Sequence, residues 1–135
     1  MKKTLGLICV LTICFMILFD PMVSAQPDGP TLVEVVVCHG IEAREPVGIG
    51  SVFSAGDGRI YCFTRIKSTQ PAEIKHIWTK NGANVAEVNL KIGVSSSWRT
   101  FSSKLIRPVD TGQWTVEVVT ADGTHLGSIS FRIEK

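Results

Sequence analysis

The sequence has almost no charge of one sign to spare. Fourteen lysines and arginines stand against 12 aspartates and glutamates over 135 residues. Beyond residue 25 the balance is 12 basic to 11 acidic side chains, and the two signs are interspersed. That leaves no electrostatic footprint for nucleic acid. It also leaves no basic cluster for an anionic membrane surface. Metal-ligand spacing is missing as well, because neither CxxC nor HxxxH occurs. There is no GxSxG elbow. The carboxylates Glu34, Glu42, Glu45, Asp57 and Asp110 show no spacing that pairs two of them for glycoside chemistry. No cofactor is implied. An enzyme would require Cys62, His39 and His76 to meet in space, so the expectation is a protein without catalysis.

The first residues differ from the rest. Lys2 and Lys3 precede an apolar run from Leu5 to Phe19, which Asp20-Pro21 ends. Val23-Ser24-Ala25 places small residues at −3 and −1 of a cleavage site. This order of charge, apolar run and small residues is that of a secretory signal peptide. The rival, a retained anchor, is short: 15 residues rise about 22 Å against a hydrocarbon core of roughly 30 Å. The expected division is a signal peptide over 1–25, a flexible stretch over 26–31 and one domain over 32–135. The exported product would be periplasmic or secreted, with no membrane attachment after cleavage. Two of the four cysteines leave with the signal. In an oxidising compartment Cys38 and Cys62 are expected to form a disulfide, worth about 3 kcal/mol from loop closure.

No stretch after Ala25 sustains a 3.6-residue apolar period, and there is no internal repeat. Short β-type runs recur instead: TLVEVVVCH (31–39), RIYCFTRIK (59–67), AEIKHIWTK (72–80), ANVAEVNLKI (83–92), WRTFSSKLI (98–106), QWTVEVVTA (113–121) and THLGSISFRI (124–133). Residues 44–58 read as a loop with one short strand near Val47 to Phe53. Asn81-Gly82 between two runs is a strong hairpin signal, since a type I′ turn needs positive φ at both positions. Asp122-Gly123 is expected to follow the same logic. Seven to eight antiparallel strands with regular turns make an all-β sandwich or barrel.

DTGQW (110–114) favours an immunoglobulin-like sandwich. It resembles the corner where an aromatic, usually tyrosine, bonds back to the chain before the penultimate strand. Trp114 stands in that place, and its indole can only donate. Val116 occupies the second cysteine's position, so a Cys38–Cys62 bridge is not the usual one. Trp78 fits the buried tryptophan of such sandwiches. Together CHGIEAREPVG (38–48), RIYCFTRI (59–66), HIWTKNG (76–82), SWRTFSSK (97–104) and TGQWTVEVVTADG (111–123) resemble the bacterial family known as domain of unknown function 2914. The resemblance runs from about Leu32 to Ile133. It implies a β-sandwich module of the bacterial envelope and carries over no ligand or activity.

Five residues are candidates for binding: Trp98, Arg99, Lys104, Arg44 and His76. In a regular strand Trp98, Thr100, Ser102 and Lys104 share one face, and Arg99, Phe101 and Ser103 the other. One reading makes Trp98 a stacking platform with polar contacts from Thr100, Ser102 and Lys104. The structural reading turns Trp98 inward and pairs Arg99 with a carboxylate such as Glu45 or Glu117, or the reverse with Phe101 and Leu105 inside. His76 is either a pocket donor beside Trp78 or a core histidine satisfied by a backbone carbonyl. Arg44, placed by rigid Pro46, suits a carboxylate or phosphate. The expected function is an exported, non-catalytic module that binds an envelope protein or a glycan. The alternatives are an accessory domain without a small-molecule ligand and a Cys/His-dependent enzyme.

Overall fold

The computed structural model describes residues 29–135. The expected signal peptide lies outside them. Among the described residues there are nine strands: β1 (Thr31–Glu42), β2 (Glu45–Ile49), β3 (Val52–Ser54), β4 (Arg59–Ser68), β5 (Ala72–Lys80), β6 (Ala83–Ile92), β7 (Ser95–Leu105), β8 (Gly112–Thr120) and β9 (His125–Glu134). A single 3₁₀ turn, Pro108–Asp110, precedes β8. The strands form two layers, β2-β1-β4-β7 against β3-β9-β8-β5-β6. The expected all-β sandwich is thus found, with one strand more than the largest number expected. The extra strand comes from residues 44–58, which split into β2 and β3. All pairings are antiparallel except β3 with β9, which is parallel.

The core follows the period of two. β4 turns Ile60, Cys62, Thr64 and Ile66 inward, all with zero exposure. β5 answers with Ile74, His76 and Trp78. The apolar interior has two parts. One holds Trp78, Trp114, Val116 and Phe131 with Val37, Ile60 and Cys62. The other holds Ile66, Ile74, Ile92 and Val118. Thr64 and His76, between these parts in both strands, form a polar layer.

The turns divide. Asn81 and Gly82 have φ of 50° and 84°, as a type I′ hairpin requires. At Asp122-Gly123 only glycine takes positive φ, 90°. Asp122 instead accepts from the Thr124 amide at 3.3 Å, and the pairing of β8 with β9 shifts register at Val118/Val119. The expectation of a second type I′ turn is therefore corrected. The corner before β8 is as the sequence suggested. Trp114 Nε1 donates to the Asp110 carbonyl, four residues upstream, at 2.8 Å. Asp110 is itself buried, and hydrogen bonds from the Arg107 side chain and amide hold its carboxyl at about 2.

The expected disulfide is not formed, and both thiols are free. Strand alternation explains this. Cys62 lies opposite Val37 and shares its inward face, so Cys38 points to the other side of the sheet.

Candidate functional site

β1 is the element that shapes the outer face of the four-stranded sheet. Its first half pairs with β4 as far as Cys38↔Tyr61. Its second half pairs only with β2, through Cys38↔Ile49 to Glu42↔Glu45. A straight strand would carry Glu42 about 26 Å beyond Glu34. Yet Arg65 reaches both ends of this path. Its Nε donates to Glu34 at 2.8 Å and its Nη2 to Glu45 at 2.5 Å. The β1–β2 hairpin therefore folds back over the sheet. Burial agrees: Cys38 and Phe63 face outward from the sheet and are still 0% and 1% exposed.

Glu45 fastens the hairpin. Its second oxygen accepts from Arg99 Nη1 on β7 at 2.5 Å. One carboxylate thus links the tip to two strands. The tip turns through Ala43 and Arg44, with φ of 47° and 62°. Neither is glycine, so each costs about 1 kcal/mol in the left-handed region. A small cleft of about 110 Å³ opens beneath the tip, lined by Ile41, Arg44, Phe63, Arg99 and Phe101. Arg65 also lies over the Phe63 ring at 5.2 Å. Arg44 is exposed and forms no ion pair with any described residue.

β7 supplies both faces of the question posed by its sequence. Arg65↔Arg99, Phe63↔Phe101 and Tyr61↔Ser103 lie on the outer side. Phe101 and Leu105 are 45% and 54% exposed there. Ile66↔Trp98, Thr64↔Thr100 and Cys62↔Ser102 lie on the inner side. The pairing of Arg99 with Glu45 matches the first of the two packing readings. The packing of Trp98 does not, because the residue, though on the inner side, is 38% exposed. Trp98 sits at the inner rim, in a shallow depression with Pro71, Ala72, Lys91 and Ile92. A Cβ on Gly93 would lie 2.5 Å from its ring, so glycine permits this approach. Lys104 follows Trp98 on the inner side, opposite Ile60.

His76 is far from any surface. Its ring touches two hydroxyls, Ser102 Oγ at 2.6 Å from Nδ1 and Thr64 Oγ1 at 3.3 Å from Nε2. Trp78 Nε1 donates to Ser102 Oγ at 3.0 Å, and Thr64 Oγ1 donates to the Thr100 carbonyl at 3.2 Å. One tautomer satisfies every group. Trp78 donates to Ser102, which donates to Nδ1; Nε2–H donates to Thr64, which donates to Thr100. The partner expected for His76, a backbone carbonyl, is replaced by these hydroxyls. Burial lowers the His76 pKa to about 4, so the ring is neutral at pH 7.

Of the five candidates, Arg44 and Arg99 meet at one cleft. Trp98 and Lys104 belong to the opposite side of β7, and His76 to the core. Glu34, Arg65 and the exposed Phe101 complete the outer face. No sequence signal marked Glu34 and Arg65 as a pair, because the register that sets them opposite joins runs separated by β2 and β3. A search of curated proteins finds no match. A family model described as "Protein of unknown function (DUF2914)" matches residues 71–133, from the start of β5 to the end of the sandwich. Over that segment the match bears out the resemblance to the domain of unknown function 2914.

Proposed function

We propose that this chain is an exported, non-catalytic binding module of the bacterial envelope. It works through the outer side of β7 and the adjacent β1–β2 hairpin tip, against a protein or a glycan. The observation that carries this reading is one juxtaposition. Phe101, exposed on β7, lines one cleft with Arg44, a guanidinium without an ion-pair partner among the described residues, on a tip that Glu45 holds in place. Leu105 is exposed further along the same side of β7. Exposed apolar area with an arginine is the composition of an interface centre.

Two features weigh against catalysis. The closest pairing of an imidazole with a hydroxyl, His76 with Ser102, is sealed in the core where no substrate fits. Burial raises the pKa of both thiols, the opposite of what a nucleophilic thiolate needs. The test is cross-linked capture from the native envelope, with the tagged chain beside an Arg44→Gly/Leu105→Ser variant. Both substitutions touch exposed side chains, so the fold should persist. A partner caught by the parent and lost by the folded variant supports the reading. Equal capture by both moves the site away from this face. No capture by either favours an accessory domain.

A further inference from the structure

β7 ends its sheet. Eleven residues, Ser95–Leu105, hydrogen-bond to β4 on one side, and no described strand pairs with the other. An open edge of that length, about 35 Å, is a template for another strand. Two features set what pairs with it. The first is charge. The outer face beside the edge carries Arg44, Arg59, Lys67, Arg65 and Arg99 against Glu34, Glu42 and Glu45, an excess of two positive charges. Two copies of this edge would bring like charges together, whereas an acidic strand meets opposite charge. The second is shape. Phe101 and Leu105 are exposed on the same side of β7, four residues apart with Ser103 between them, a spacing that an extended chain can match.

We infer that β7 accepts an extended acidic peptide segment as an added strand, with one of its carboxylates reaching Arg44 in the cleft below the hairpin tip. This rests on the binding-module reading above and names the partner's class. The cleft, about 110 Å³, suits a carboxylate side chain, and Phe63, Phe101 and Ile41 wall it with apolar surface. Backbone hydrogen bonds supply affinity and the alternating side chains supply specificity in this mode. A glycan fits less well. Trp98, the natural stacking ring, is 38% exposed but lies on the inner side of β7 over Gly93, away from the outer face. Phe101 meets Tyr61 edge to face at 61°, so these two rings offer no common flat platform.

The test uses the full chain, labelled with ¹⁵N, and a ten-residue peptide of alternating glutamate and valine. Amide shifts and slowed exchange are expected along Ser95–Leu105. A lysine–valine peptide, and a glutamate–valine peptide interrupted by two prolines, should each bind at least about tenfold more weakly. Arg44→Gly should weaken the acidic peptide by about threefold to tenfold. Equal binding of the proline-containing peptide would reduce the effect to charge alone and overturn strand addition. Equal binding of the lysine peptide would overturn the acidic preference. Amide shifts on Ser95–Leu105 with oligogalacturonate but not with the acidic peptide would make the ligand a glycan. If no peptide binds while envelope capture still depends on Arg44 and Leu105, strand addition fails and the binding module stands.

Discussion

The two faces of β7 both mix polar and apolar residues and do opposite work. Inward, the Ser102 hydroxyl meets the buried His76 and Trp78, and the Thr100 carbonyl accepts from the buried Thr64. Outward, Arg99 and Phe101 meet Glu45, Arg65 and Arg44 at the surface. Inside, each hydroxyl both donates and accepts, and a missing partner is costly. Outside, water replaces any lost partner. The comparison teaches that polarity on a strand says little until burial is known.

The inner face should break first. Ser102→Ala orphans both the Trp78 N–H and His76 Nδ1. Each buried unsatisfied group costs about 1–3 kcal/mol, so a loss of about 4 kcal/mol is expected. Urea denaturation at pH 7 measures it. A loss near 1 kcal/mol would mean that the layer is hydrated or able to rearrange.

Next is acid. Unfolded, His76 takes a proton near pH 6.5; folded, only near 4. Its contribution is therefore complete above pH 6.5 and lost as pH falls toward 4. Between pH 7 and pH 5 the expected loss is about 2 kcal/mol. Asp110 acts in a lower window, since its folded pKa of about 2 lies below the ordinary 3.8. Its contribution is lost only between those values. Stability curves at pH 7, 5 and 3 separate the two groups. A His76→Phe variant that keeps the full slope between pH 7 and 5 would assign that slope elsewhere.

The sequence made much of this legible. The strands β5 and β6, the Asn81-Gly82 turn, the buried Trp78 and the bond from Trp114 back to the chain follow from local pattern and turn chemistry. So did the pairing of Arg99 with Glu45 as one reading. The folded-back hairpin was not legible. Its turn, Ala43-Arg44, has neither glycine nor asparagine, and tertiary contacts at Glu45 hold it. For the same reason Cys38 looked like half of a disulfide. Its burial comes from the hairpin above it, not from the core that holds Cys62. His76 misled because two hydroxyls on distant strands, Ser102 and Thr64, satisfy it, and sequence separation hides them.

On the outer face Glu45→Gln should cost about 1 kcal/mol. The carboxylate is about half exposed, and screened surface pairs are worth little individually. Because one group serves two arginines, its effect should show more in mobility than in stability. Faster amide exchange is expected over Ile41–Val47, with β5 and β8 unchanged. Equal exchange would mean that the apolar cover on Phe63 holds the hairpin without the ion pairs.

The smallest effect on stability belongs to Arg44→Gly, and it separates the two faces most sharply. Glycine removes the left-handed cost at φ 62°, about 1 kcal/mol. It also gives the unfolded chain more freedom, which takes back about 0.5–1 kcal/mol. The two nearly cancel, so the melting midpoint should move little, and upward if at all. The lost guanidinium, by contrast, is the one that faces the cleft without an internal partner. Binding through the outer face should fall while the fold stays intact. A variant that loses several kcal/mol would instead make Arg44 part of the packing that holds the hairpin down. The outer face would then be, like the inner one, a structural surface.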